Sequence, residues 1–465
     1  MTDAVSPPSS ESTRPSRREP QAPVFVTGSI LRHILVMTGA GAVGLMAIFA
    51  GDLANILFLS RSGDDAVVAA VGYASSILFF STSIGIGLSI AATALVAPAI
   101  GAGLRVRARR LSAHAHVLTF LASALLSIVL WFGIEWILTR LGATGRAHAL
   151  ATTYLSILLP TLPMLALGMT SSAVLRSVGD ARRAMHVTLL GAVVNTILDA
   201  FLILHLGWGI TGAAIASAIA RVAVMAIGLH GVINVHNLMG RPKLATLAAD
   251  TPAFAAIAIP AVLTNVATPA GNAYVTSAIA AFGDGAVAGW AIIGRIIPVA
   301  FGAIYALSGT VGPILGQNYG AREAGRMREV FTVSLVVMAV FTAVAWLIMA
   351  MFADSLANAF NASGDARMLI VYFCRWLSPL FVFLGALFIA NAVFNTLGRA
   401  HFSTALNWAR ATIGTVPFVL AGASTAAAPG VLAGNMLGGV LFGLAAVAIG
   451  YQLIGRVGKA FPSWV

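Results

Sequence analysis

Charge is what this sequence is short of. Asp, Glu, Lys and Arg make up 9% of the 465 residues, against 59% for the apolar types. A soluble domain keeps about a quarter of its residues charged, so a water-exposed surface cannot be built from this chain. Between Asp65 and Arg105 there is no charged residue at all, a stretch longer than the ~20 residues one membrane crossing takes. Cysteine is almost missing too: Cys374 stands alone, which excludes an internal disulfide and a Cys-rich metal centre. A Walker-type glycine loop is absent, so nucleotide hydrolysis is not the expected energy source. The nine His are scattered, and none sits with Asp or Cys at a metal-ligand spacing. No enzyme activity and no cofactor are expected.

What remains is apolar and interrupted at regular intervals. Reading apolar runs against charged breaks predicts twelve transmembrane helices. They lie near 30–59, 66–100, 111–140, 147–175, 183–204, 209–236, 252–281, 286–318, 327–352, 367–397, 402–421 and 430–455. The fold class is all-α and polytopic. The basic residues then fix an orientation. One side receives Arg14, Arg17, Arg18 and Arg32, the run Arg105, Arg107, Arg109 and Arg110, and most of the rest. The other receives only Arg61, Arg140, Arg146 and Arg367. The positive-inside rule puts both termini in the cytoplasm. "RVRARR" (105–110) is therefore a topology signal, and no nucleic-acid partner is expected. Residues 1–28, rich in Pro, Ser and Arg, lack the apolar core of a signal peptide and read as a disordered cytoplasmic tail.

The two halves resemble each other. "AVLRSVGDA" (173–181) parallels "AVFNTLGRA" (392–400) at an offset of 219 residues, and "DAVVAAVGYASSI" (65–77) parallels "GAVAGWAIIGRI" (285–296) at about the same distance. "ALVAPAIGAG" (94–103) against "GTVGPILGQNYGA" (309–321) aligns its prolines at 215, which implies four residues of insertion. Six spans per half is an even number, so the halves enter with one orientation and a pseudo-twofold axis runs along the membrane normal. The expected plan is an N-lobe (29–236), a cytoplasmic linker (237–251) and a C-lobe (252–465) that ends in a short tail. Alternating access would follow as rocking of one lobe against the other.

Inside this apolar chain, "GAVVNTILDAFLIL" (191–204) carries Asn195 and Asp199 one helical turn apart on one face. A carboxylate at membrane depth costs roughly 2.5–3.5 kcal/mol on insertion scales and marks function by default. Asp52 on helix 1 is the other in-span acid of the first half. By the repeat, Asp52 aligns with Gly271 and Asp199 with Phe418, so the carboxylates belong to one lobe. Two acids in low dielectric can share a proton. Alternatively, oxygens of Asp52, Asn195, Asp199 and Ser217 coordinate Na⁺. A purely structural use of Asp199 would be an ion pair with Arg221 on the next helix.

The order of these motifs resembles the multidrug and toxic compound extrusion (MATE) transporters. "LRSVGDARRAMHVTLLGAVVNTILDAFLILHLGWGITGAAIASAIARV" (175–222) matches their "LRGxGD" turn, "NxxLD" helix and "GxxGAAxAT" helix, and the "P…GQNYGA" end of helix 8 also fits. The resemblance spans roughly residues 30–456. It implies a cation-coupled antiporter exporting organic, often cationic compounds, with H⁺ or Na⁺ as coupling ion. Acids confined to the first half, with none in helix 7, are similar to the DinF-like branch. In that pattern a helix-6 hydroxyl and a nearby backbone carbonyl complete the cation site; Ser217 and Ala213 stand there, with Ser where Thr is commoner. Many members carry a helix-1 proline about fifteen residues before the Asp. Here that position is Met37, which puts a proline hinge in doubt. Met164 and Met169, with Asn265, Asn391 and Asn395, are the candidate lining of an adaptable substrate cavity. A flippase of a lipid-linked precursor is the alternative within the same superfamily, and clustered inward-facing Arg would be its mark. The expected setting is the inner membrane of a bacterium, the partners a small organic molecule and the bilayer, the functional unit a monomer.

Overall fold

The computed structural model describes residues 23–60 and 64–461. In a hydrocarbon layer every backbone N–H and C=O must be satisfied within the chain, and helices do this one segment at a time. The chain accordingly forms α1 (Ile30–Ser60), α2 (Asp65–Gly101), α3 (Arg105–Arg140), α4 (Gly145–Ser177), α5 (Ala181–His205), α6 (Gly209–Val235) and α7 (Leu244–Ala280). It continues through α8 (Asp284–Ala300 with Gly302–Gly320), α9 (Ala324–Met351) and α10 (Gly364–Thr396). The last two spans are α11, from Ala400–Ala411 on through 416–425, and α12, 428–459, parted by the non-helical Ala426 and Ala427. Among the described residues this is the expected twelve-span, two-lobe bundle. Its outer surface is apolar: Val336, Val340, Val344 and Leu347, one stripe of α9, are each more than half exposed. Such a stripe suits lipid and not water.

Several spans are less regular than expected. Span 8 bends by 50° between its two segments, just after Pro298. A single 3-10 turn interrupts α4 at Leu159–Thr161 and another interrupts α10 at Ser378–Leu380. Each contains a proline, and the two turns are 219 residues apart. Left-handed backbone repeats at the same spacing, at Gly103 and Arg322, Gly142 and Asn361, Gly145 and Gly364, and Gly179 and Gly398. The repeat therefore holds a constant register from 103 to 398, and the expected 215 offset near 94–103 is wrong. Pro98 and Pro313 drew that alignment, yet they are not equivalent positions.

The lobes meet at the face that carries both chain ends. There α2 and the second segment of α8 cross so tightly that a Cβ on Gly101 would fall into the backbone of Gln317, and one on Gly320 into that of Pro98. These two contacts are each other's symmetry mates at an offset of 219, with Ala97 against Gly316 on the axis. Flanking them, Gly87 of α2 abuts Val262 of α7 and Gly41 of α1 abuts Ala306 of α8. Asp250 on α7 ties across to α3, accepting from His114 Nδ1 at 2.7 Å and pairing with Arg110 Nε at 3.1 Å. Met46 against Gly302 is the last of these contacts along α1. Beyond it the close packing of α1 against the other lobe ends, so the cleft between the lobes opens toward the opposite face.

Two boundaries need correction. Residues 1–22 lie outside the described residues, but 23–28 are no loose tail. Phe25 is 1% exposed in the C-lobe core, its N–H donates to Gln317 Oε1 at 2.9 Å, and its carbonyl accepts from Arg326 at 3.0 Å. Phe25 and Ile30 have apolar surface to bury, which the Pro- and Ser-rich stretch before them lacks. Likewise the linker is shorter than 237–251, because α7 starts at Leu244. The bonds of Asp250 and Thr246 to α3 hold that first turn in place. On the same face Asp180 caps α5, accepting from Arg183 N at 3.0 Å and from His236 Nε2 at 2.8 Å. Burial alone would raise its carboxyl, but the bonds from His236 and Arg183 outweigh it and hold it well below the usual carboxylate range.

Candidate cation site and substrate cleft

Small residues make the site. Gly44 and Gly51 of α1 lie against Thr188 and Thr196 of α5, so the two helices approach without an intervening side chain. This contact carries Asn55 to Asp199. Asp199 Oδ2 accepts from Asn55 Nδ2 at 2.8 Å and from Asn195 Nδ2 at 2.8 Å. Asp199 is wholly buried, and its Oδ1 has no hydrogen-bond partner among the described residues. Directly after it α5 widens to a π-helix over Ala200–His205, a feature that favours functional positions. Asp52, one turn before Asn55, is exposed.

The remaining expected ligands are placed less closely. Ser217 of α6 lies beside the hydroxyl of Tyr154 on α4, and Tyr154 is within electrostatic reach of both Asp199 and Asp52. Ala213 is fully buried and offers no polar side chain. Arg221 does not pair with Asp199; it donates to Leu158 O at 2.8 Å and to Thr161 Oγ1 at 3.0 Å. The ion-pair alternative for Asp199 is thereby removed. Asn55 is the residue that sequence reasoning missed. The spacing Asp52-x-x-Asn55 put it on the acid's face, and that signal was there to be read.

The proposed cavity residues divide. Met169 lies over Gly85 and lines a small void between α2, α3 and α4, whereas Met164 is half-buried. Asn265 donates to its own helix at Ala261 O, 2.8 Å. Asn391 and Asn395 are buried, and their Oδ1 atoms accept from Asn407 at 3.1 Å and Ser403 at 3.2 Å. These two amides join α10 to α11.

Chemically, Asp199 is a carboxylate with one oxygen doubly satisfied and the other buried without a donor. Such a group gains by taking a proton on the free oxygen, or by sharing it with a small cation.

The MatE family model matches residues 40–201 and again 260–420. The chain belongs to the MATE family. The double match lies on the two halves already paired by their turns. Over 427 residues the chain is 27% identical to a protein of Shewanella oneidensis named "FAD transporter", covering 90% of this chain and 94% of that one. It is 22% identical to the "Multidrug export protein MepA" of Staphylococcus saprophyticus, over 76% of this chain and 78% of that one. In fold it superposes on the Vibrio cholerae MATE transporter VcmN in the bent form with a TM-score of 0.87 at 24% identity, over 93% of this chain and 99% of that one. This MATE protein is thus a polytopic membrane transporter of small molecules.

Proposed function

We propose that the chain exports organic compounds across the bacterial inner membrane in exchange for protons, as a DinF-like monomer with both termini in the cytoplasm. The observation that carries this reading is Asp199, buried with a free oxygen and linked through Asn55 to the helix on which Asp52 is exposed. In the form described here the cleft faces the cell exterior. Protons reach Asp52 first and Asp199 behind it, and loss of their charge weakens the hold on a cationic substrate. Reclosure at the outer face and opening at the glycine seam would then pass the protons to the cytoplasm. Na⁺ would use the same oxygens, but both neighbouring amides turn donors toward Asp199, an arrangement that suits a carboxylate exchanging a proton.

The flippase alternative asks for clustered inward Arg. Instead Arg375 pairs with Asp354 at 2.6 Å and Arg221 bonds within the N-lobe, which leaves Arg410 as a single buried guanidinium and not a cluster. A second reading of the cargo has one observation in its favour: the Shewanella relative, matched over 90% of this chain, is named for a flavin nucleotide. Flavins therefore belong on the substrate panel beside cationic dyes.

The test is efflux of a fluorescent cation from proteoliposomes under a pH gradient without sodium, for wild type and Asp199→Asn at equal incorporation. Gradient-driven transport by wild type alone supports the reading. Equal rates would return Asp199 to packing, and rescue by sodium alone would change the ion.

A further inference from the structure

The C-lobe buries a cation that nothing in it neutralises. Arg410 on α11 is 7% exposed. It lies ten residues from the start of its helix at Ala400, about 15 Å along the axis and so near the middle of a ~30 Å hydrocarbon core. Its one side-chain hydrogen bond runs from Nη2 to Thr268 Oγ1 of α7 at 3.2 Å, and its Nε is buried without a partner. The Nη1 group likewise makes no hydrogen bond among the described residues. Among the described residues no carboxylate lies within ion-pair distance. Tyr305, which opens the second segment of α8 and is steadied by Phe381 and Phe388, is within electrostatic reach of the guanidinium.

A merely structural Arg at this point would cap the break that follows at 412–415 by bonding its carbonyls. Arg410 does not do so; its bond goes to a hydroxyl on another helix. An unneutralised guanidinium at this depth is costly, and such residues persist where a substrate supplies the counter-charge. With Nη1 unbonded, the guanidinium has donors left for a phosphate or carboxylate oxygen.

We propose that Arg410, with Thr268 and Tyr305, forms a C-lobe subsite for a phosphate or carboxylate group, so that the cleft takes cargo with an anionic end as well as a cationic or apolar one. This rests on the exporter reading and narrows its substrate class. The anion could belong to a soluble cargo or to a phospholipid headgroup; the chemistry is the same and the test separates them.

The test is equilibrium binding of riboflavin 5′-phosphate and of riboflavin to the purified full-length protein in neutral detergent, read by flavin fluorescence. Wild type should hold the phosphate form about tenfold more tightly, inorganic phosphate should compete, and Arg410→Gln should bring the ratio near one. Arg410→Lys should keep part of the preference, and Thr268→Val, which spares the charge, serves if the Gln variant fails to elute as a single folded species. Repeating the assay in nanodiscs with and without phosphatidylglycerol locates the source. An Arg410-dependent loss of preference caused by that lipid assigns the anion to the bilayer. An equal ratio in wild type and Arg410→Gln overturns the subsite. Binding needs no gradient, so this outcome is distinct from a failure of wild type to export a dye, which would overturn the exporter reading instead.

Discussion

At α1 and α5 of the N-lobe, Asp52, Asn55, Asn195 and Asp199 gather into one polar site. The positions 219 residues later hold Gly271, Tyr274, Gly414 and Phe418. Gly271 lets α7 close on Ala411, and Gly414 is covered by Phe442, so the C-lobe packs where the N-lobe keeps acids. The reverse holds at Arg410, whose counterpart is Gly191, lying against Val224. One backbone plan thus carries titratable acids in the first half and a fixed cation in the second. On the proposed reading, the in-span charge of the N-lobe changes with protons while Arg410 of the C-lobe keeps its own.

The largest effect should come from removing that chemistry. Asp199→Asn should lower gradient-driven efflux at least ~10-fold if Asp199 couples transport as proposed, since the substitution removes its ionisation. Adding Phe418→Asp on that background should restore nothing, because no Asn pair faces the new carboxyl. Restored efflux in the same assay would mean that either lobe can couple.

The seam offers a sharper comparison, because there the lobes are alike. Gly101→Val and Gly320→Val should open the terminal face to similar extents, each by about 1–3 kcal/mol of overpacking. Thiol modification of Thr93→Cys, buried behind the seam, in a Cys374→Ala background would measure it. Clearly unequal rates would break the symmetry argued from the turns. Asp250→Asn should act in the same direction but less, about 0.5–1 kcal/mol, since its Arg110 partner is partly solvated.

The smallest effect concerns Asp180, whose counterpart is Arg399. The folded state holds the Asp180 carboxyl below its unfolded value of about 3.9. Its stabilisation is therefore complete above that pH and is lost as pH falls through the lower folded value. Asp180→Asn, which keeps the cap and removes the charge, should cost about 0.5–1 kcal/mol at neutral pH, measured as a lower thermal midpoint. That difference should shrink on acidification below pH ~4.

The spans and the confinement of the acids to one lobe were legible because each rests on composition or on a single residue type. Asp199 could be read as a functional residue because a membrane charges for it. What escaped has physical reasons. The start of α7 is held by contacts with α3, and Phe25 is held by a core from the other half of the chain; neither partner is local in sequence. Asn55 gives no signal by itself, since a lone amide in a span is usually a helix–helix bond. Asn391 and Asn395 show the same ambiguity, and there the interhelical bond is what formed. The register error arose because prolines catch the eye, whereas the structural repeat is set by left-handed turns, two of which fall on Arg322 and Asn361.

The short link between the lobes has a consequence for how such a chain can be made. Residues 236–243 alone join two six-span units, and each unit begins and ends on one side of the bilayer. A translocon could therefore insert each half from its own message without ever passing a terminus across the lipid. The seam, built from contacts that mirror one another, would supply the recognition, and the covalent bond at the linker would be left with one duty: delivering the halves in equal number.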